Sequence, residues 1–232
     1  MAMQDAFSAK GWTDLGTELP PPRPAAADPV TAPEAAPAPR FADATPLGLI
    51  GLAMGCAALL PIAFGAKVGA SGLATAAVFC ALFGGGCQLI AGLVNLANRN
   101  LLGGTLFVAF AFNWALNAWA LWSMAHGVVP EPQTVLATEA ASLALFVPLT
   151  YAFGFHSALL FAFLLDLDVL YGCKLLAGYG HVGGTATPIA VCTLVLGAIA
   201  LWIALAMLVN PVAGRRVLPM PGPLFRAPGA AG

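Results

Sequence analysis

Phe83-Gly84-Gly85-Gly86-Cys87-Gln88, followed after a polar break at Asn98-Arg99-Asn100 by Gly103-Gly104-Thr105, is the stretch that decides the fold. The first piece opens onto an apolar run reaching Gly92 and Asn95, and the second onto one carrying Phe110, Asn113, Trp114 and Asn117. Both runs are long enough for membrane helices. Both also set amides and glycines at helical spacing inside hydrocarbon, which a segment that only anchors a protein does not need. An amide in a bilayer requires a partner, so these side chains face a neighbouring helix or a wet path. The pattern points to a pore or transporter.

Composition agrees. Of 232 residues, 60% are hydrophobic and 8% charged, with a mean hydropathy of +0.88. A soluble domain carries roughly a quarter charged residues, so the class is integral membrane and all-α. The net charge of -1 leaves no basic footprint for nucleic acid. Cys56, Cys80, Cys87, Cys173 and Cys192 each lie in or at the end of an apolar run, with no CxxC pair, so reduced thiols are expected rather than a disulfide framework or a zinc site. No Walker loop, dinucleotide fingerprint or Ser–His–Asp order is visible, and no cofactor or enzymatic role is expected.

Outward from the central stretch, six apolar runs define a single bundle: residues 46–64, 71–96, 103–124, 138–153, 157–176 and 188–209. A span needs roughly 20 residues, with a tolerance of several either way. Thr45 reads as the N-cap of the first run with Pro46 at the first helical position, and Asn210-Pro211 closes the sixth. The fourth run is the shortest and holds Pro148. Its link to the fifth, Gly154-Phe155-His156, is short enough to make the two antiparallel neighbours. The membrane domain is expected over residues 44–212, and residues 213–232 form a short cytoplasmic tail.

Residues 1–43 are rich in Pro and Ala, as in Pro20-Pro21-Pro22, and hold six of the ten acidic residues. Such a segment cannot build a core and reads as a solvated, disordered extension. With six spans both termini share one side. That side collects Arg40, Arg99, Arg215, Arg216 and Arg226 against Lys67 and Lys174 on the other, which places the termini in the cytoplasm.

Two helices carry candidate chemistry. Leu106, Phe110, Asn113 and Asn117 fall at i, i+4, i+7 and i+11, one stripe of the third helix. Amides one turn apart either donate N–H groups to a carboxylate or bond a neighbouring helix. On the second helix Gly84, Gln88, Gly92 and Asn95 share a side, which suits tight packing with an interhelical amide bond, or a ligand role for Gln88. The fifth helix carries Asp166 and Asp168. Intramembrane carboxylates are expensive and mark function by default, here taking and giving a proton. Residues two apart lie about 200° apart around a helix, so the pair cannot form one acid/base dyad and at most one faces a given path. His126, His156 and His181 lie at helix ends or loops without metal-ligand spacing.

The sequence also resembles a known family. Pro46-Leu47-Gly48-Leu49-Ile50-Gly51 resembles the Asn-Pro-Ala-Pro-Leu-Gly-Leu signature of the acetate uptake transporters, which include bacterial succinate–acetate permeases and yeast acetate transporters. Gly84-Gly85-x-x-Gln88-x-x-Ala91-Gly92 is similar to the family's second-helix motif, and Asn100, Gly103, Thr105, Phe107 and Trp114 to its third-helix pattern. Gly214-Arg215-Arg216-Val217-Leu218-Pro219 looks like its C-terminal ending.

The resemblance implies six transmembrane helices in a bacterial inner or plasma membrane and a homo-hexamer with a path through each protomer. It implies uptake of acetate, sometimes succinate, with protons. Gln88, Asn113, Asn117 and Thr105 would border the substrate pathway. The family's hydrophobic constriction falls by position on Leu52, Phe110 and Leu167; the first has lost a ring and the second a tyrosine hydroxyl. The signature asparagine is Asp43 here, an acid usual at the end of the second helix is Asn95, and Asp166 and Asp168 flank Leu167 as candidates for proton coupling. The alternative reading is a channel for a small neutral solute such as water, ammonia, urea or undissociated acid.

Overall fold

The computed structural model describes residues 41–180 and 183–226; the tail through Arg40, His181 and the last six residues lie outside it. The described residues are helical, with no strand among them. We label the helices α1 (Thr45–Ala63), α2 (Ala70–Ala97), α3 (Leu101–Ala125), α4 (Pro132–Gly154), α5 (Ala158–Gly180) and α6 (Ala186–Ala213). All except α5 are long and apolar enough to cross a membrane. Helix α5 has the length, but it carries three charged residues, Asp166, Asp168 and Lys174.

Several boundaries differ from the sequence expectation, among them the end of α5, which runs on to Gly180, and three have a local cause. Helix α4 begins at Pro132, six residues before the apolar run, because a proline in the first turn has a preset φ and no N–H to leave unpaired. Its first turns are polar, which disguises them as loop. Thr45 is inside α1; Ala44 is the cap, and the Asp43 carboxylate accepts the Thr45 N–H at 2.9 Å. Helix α6 runs through Pro211 and is closed instead by Gly214, whose φ of 61° is the left-handed conformation glycine adopts freely. Asn210 is occupied otherwise: its Oδ1 accepts from the N–H groups of Val217 and Leu218, and its Nδ2 donates to the Leu218 carbonyl.

Helix α1 is the hub, packed against α6 and α2; α2 packs on α3, and α5 on both α4 and α6. Close approach in this core depends on glycine. The middle of α2, Cys80–Cys87, is wound as a wide π turn, a form that recurs at functional sites. The buried Trp114 ring of α3 is wedged between that turn and α1: a methyl group at Gly55 would stand 2.9 Å from it, and one at Gly84 would overlap it.

Asparagines fix the α2–α3 elbow. Asn100 accepts the Gly103 N–H at 3.0 Å and donates to Asn95 Oδ1 at 2.7 Å, while Asn95 donates to the Ala91 carbonyl at 2.9 Å. Asn98 exchanges two 2.9 Å hydrogen bonds with the backbone of Phe41, which ties the chain ahead of α1 to the elbow.

Beyond α6 the chain folds back as a strap. The Trp202 indole donates to the Pro219 carbonyl, and Ser157 and the Ala158 N–H donate to the carbonyls of Pro221 and Gly222. The N–H groups of Leu224 and Phe225 both donate to the Gly154 carbonyl, at 2.8 and 3.0 Å. The Phe225 ring packs among Tyr151, Phe155 and Phe161.

Replacing Gly84 by Val forces Trp114 out of its slot, and overpacking of this kind costs about 1–3 kcal/mol. The expected outcome is a lower unfolding temperature of the detergent-solubilised protein with its helix content retained. Phe225→Ala leaves that temperature nearly unchanged but raises hydrogen exchange at the amides of Leu224 and Phe225.

Candidate functional site

Three cavities lie in a row along α3. The first, about 560 Å³, is a vestibule at the end of the bundle where α1 and α3 begin and α4 meets α5. Asp43, Thr45, Asn100, His156 and Ser157 supply its polar wall, and Met220 of the strap closes part of its rim. The second, about 70 Å³, lies deeper, among Cys56, Trp114, Leu167, Thr193 and Leu196. The third, about 120 Å³, opens on the opposite side against Thr134, Thr138 and Glu139.

The partitions between them are the informative part. Phe110 lines both the vestibule and the inner cavity. Its ring stacks on Phe146 of α4 with centroids 4.8 Å apart and tilts against Phe163 of α5 at 6.1 Å. Phe146 in turn stacks on Tyr171 at 5.8 Å. Phe146 and Phe163 are each 1% exposed, so the partition is dry and aromatic. Four residues are shared by the inner and outer cavities: Asn113, Asn117, Tyr171 and Lys174. They make a polar wall of two amides, a phenol and an ammonium. Asn117 donates to Asn113 Oδ1 at 3.1 Å and to its carbonyl at 3.0 Å, which fixes the amide pair. Lys174 pairs with Glu139 at 2.7 Å across α5 and α4.

The α3 stripe runs the length of this row. Leu106 borders the vestibule, Phe110 the first partition, and Asn113 and Asn117 the second. Leu52, Phe110 and Leu167 are all buried, but at different stations: Leu52 on the vestibule, Leu167 on the inner cavity and Phe110 on both.

Other sequence candidates stand apart from the row. Thr105 is exposed on the outer face of α3. Gln88 is fully buried, yet it lines none of the three cavities and neither its Nε2 nor its Oε1 has a hydrogen-bond partner among the described residues. Asp166 and Asp168 diverge around α5 as the helical repeat requires. Asp168 accepts from Thr150 of α4 at 2.6 Å, while Asp166 faces the Cys192 thiol of α6. Neither carboxylate lines the row; Leu167 between them does.

Sequence reasoning missed Phe146, Phe163, Tyr171, Lys174 and Glu139. A signal for three of them was present. Phe163, Leu167, Tyr171 and Lys174 recur at i, i+4, i+8 and i+11 on α5, the same kind of stripe as on α3. The two stripes face each other through Phe110 and Phe163 at one level and through Asn113 and Tyr171 at another.

No family model matches the sequence, and a search of curated proteins finds no match. Among solved structures the chain is similar to that of the bacterial acetate channel SatP, with a TM-score of 0.70 and 22% sequence identity over 78% of this chain and 99% of that one. The arrangement of helices that carries the row of cavities is therefore the fold also seen in that acetate channel.

Proposed function

We propose that the chain is a member of the acetate uptake transporter family and carries acetate or a similar small monocarboxylate across a membrane. In this reading α5 is the sixth span despite its charges, both termini are cytoplasmic, and residues 44–212 form one membrane domain flanked by tails at 1–43 and 213–232. The protomers assemble as a hexamer with a path through each. The vestibule then opens to the cytoplasm and the cavity at Glu139 to the other side. The sequence motifs and the shared fold support the family; the row of cavities interrupted by Phe110 is the observation that carries the transport reading.

The geometry suits a small acid. A dry constriction rejects hydrated inorganic ions, which cannot shed water there without replacement ligands. A carboxylate of two carbons exposes little charge beyond its two oxygens, and Asn113 and Asn117 stand on the Glu139 side of the constriction, ahead of it for an entering solute. The inner cavity, about 70 Å³, is on the scale of a small solute such as acetate, and in this reading acetate is the first substrate and succinate the second.

Proton coupling, in the same reading, runs through α5 rather than through the solute's own route. Asp166 and Asp168 engage α6 and α4 from either side of the gate residue Leu167. Asp166 Oδ2 and Asp168 Oδ1 are buried without partners among the described residues, which makes them places for a proton. Loading or releasing it changes how α5 sits against its neighbours and so moves Leu167.

Vesicles containing the protein are expected to take up labelled acetate faster than protein-free vesicles, and to accumulate it when protons are more concentrated outside. Asp166→Asn and Asp168→Asn are expected to abolish accumulation while leaving downhill flux. Accumulation that survives both changes would remove the coupling role. Phe110→Ala removes the partition and is expected to raise flux of small neutral solutes such as urea. Urea flux already equal to acetate flux in the unaltered protein would favour the neutral-solute channel instead.

A further inference from the structure

Among the residues lining the three cavities there is a single permanent cation, Lys174. It belongs to the wall between the inner and outer cavities and lies two helical turns, about 10 Å, from Leu167 along α5. One of its three N–H groups donates to Glu139 Oε1 at 2.7 Å, and the ammonium sits 5.5 Å from the centroid of the Tyr171 ring. With 29% of its side chain exposed, the head is neither sealed into the ion pair nor free in bulk solvent. Asn113 and Asn117, which bind each other, share its wall.

We propose that Lys174 is the residue that selects an ionised carboxylate over neutral solutes of the same size, with Glu139 tempering its grip so that the anion is released. The proposal rests on the transport reading above and assigns its charge selectivity to one side chain. Amides alone discriminate weakly, because an amide N–H donates to a neutral carbonyl as well as to a carboxylate. An ammonium does not share that tolerance. In a partly desolvated wall its attraction for an anion is several-fold stronger than in water. Left unpaired, it would hold the anion and stall conduction. A path conducts only if binding is favourable enough for the solute to enter and weak enough for it to leave. Glu139 meets that requirement: the incoming carboxylate takes up the Lys174 donors that Glu139 does not use, and the Glu139 charge repels it onward past Asn113 and Asn117.

A structural brace between α4 and α5 is the competing explanation, and acetate against acetamide separates the two. Acetamide has the same shape without the charge. Fluxes of both are measured into vesicles at pH 8, where a simple carboxylic acid is almost wholly ionised. Lys174→Gln is expected to lower acetate flux at subsaturating concentration about ten-fold, equivalent to about 1.4 kcal/mol, and to leave acetamide flux within two-fold. Lys174→Arg keeps the preference for acetate. Glu139→Gln lowers both the half-saturating acetate concentration and the maximal rate. The double variant Lys174→Gln with Glu139→Gln retains a hydrogen-bonded bridge without charge; it is expected to lose the preference while eluting as monodisperse as the unaltered protein. An unchanged acetate-to-acetamide ratio in Lys174→Gln and in the double variant, while the unaltered protein still carries acetate, overturns the role of Lys174 alone. No acetate flux above protein-free vesicles in the unaltered protein overturns the transport reading and this inference together.

Discussion

The stacking of Phe110 on Phe146, with Phe163 tilted against the same ring, is the contact on which the interior depends. Three helices meet there. In a bilayer, helices gain nothing by hiding apolar surface from lipid, so association rests on close packing and polar contacts. Aromatic rings from α3, α4 and α5 supply the first by filling the space where three helices diverge. The same rings close the vestibule from the inner cavity. Packing and partition are therefore one feature, and neither can be altered without the other.

Glycine has the complementary role one turn further along α3. Gly55 and Gly84 leave the slot that Trp114 occupies, and Trp114 lines the inner cavity from there. Large side chains are thus held on α3 at two levels: Phe110 against the rings of α4 and α5, and Trp114 in the glycine slots of α1 and α2. The wide turn of α2 at Cys80–Cys87 brings Gly84 to that slot.

The apolar runs, the short α4–α5 link and the α3 stripe were legible because each is a local property of the sequence. A run longer than a bilayer is thick announces a helix, and spacing of three and four announces a face. The start of α4 was less legible, since Gln133 and Thr134 look like loop until Pro132 is recognised as a helix opener. The azimuth of isolated polar residues was not legible. Gln88 and Thr105 have suitable chemistry, but a helix that is apolar on every side carries no mark of which side meets a cavity. On α5 the two carboxylates drew attention away from the quieter stripe of Phe163, Leu167, Tyr171 and Lys174. The 200° rule separated Asp166 from Asp168 correctly, yet only the packing of α4 and α6 shows that both point to neighbours.

The strap beyond α6 stitches one rim of the bundle. The carbonyl of Gly154 holds two consecutive N–H groups, and the Ser157 hydroxyl and Ala158 N–H hold two more strap carbonyls. On this rim the ends of α4, α5 and α6 are laced into one piece by backbone hydrogen bonds to the strap, reinforced by the side chains of Ser157, Trp202, Asn210 and Phe225. At the opposite rim, Lys174 of α5 and Glu139 of α4 form an ion pair between side chains. The two rims are therefore held by different chemistry, hydrogen bonds to the strap at one and contacts that include a charge pair at the other, so added salt weakens a tie at the second rim and leaves the strap's hydrogen bonds in place.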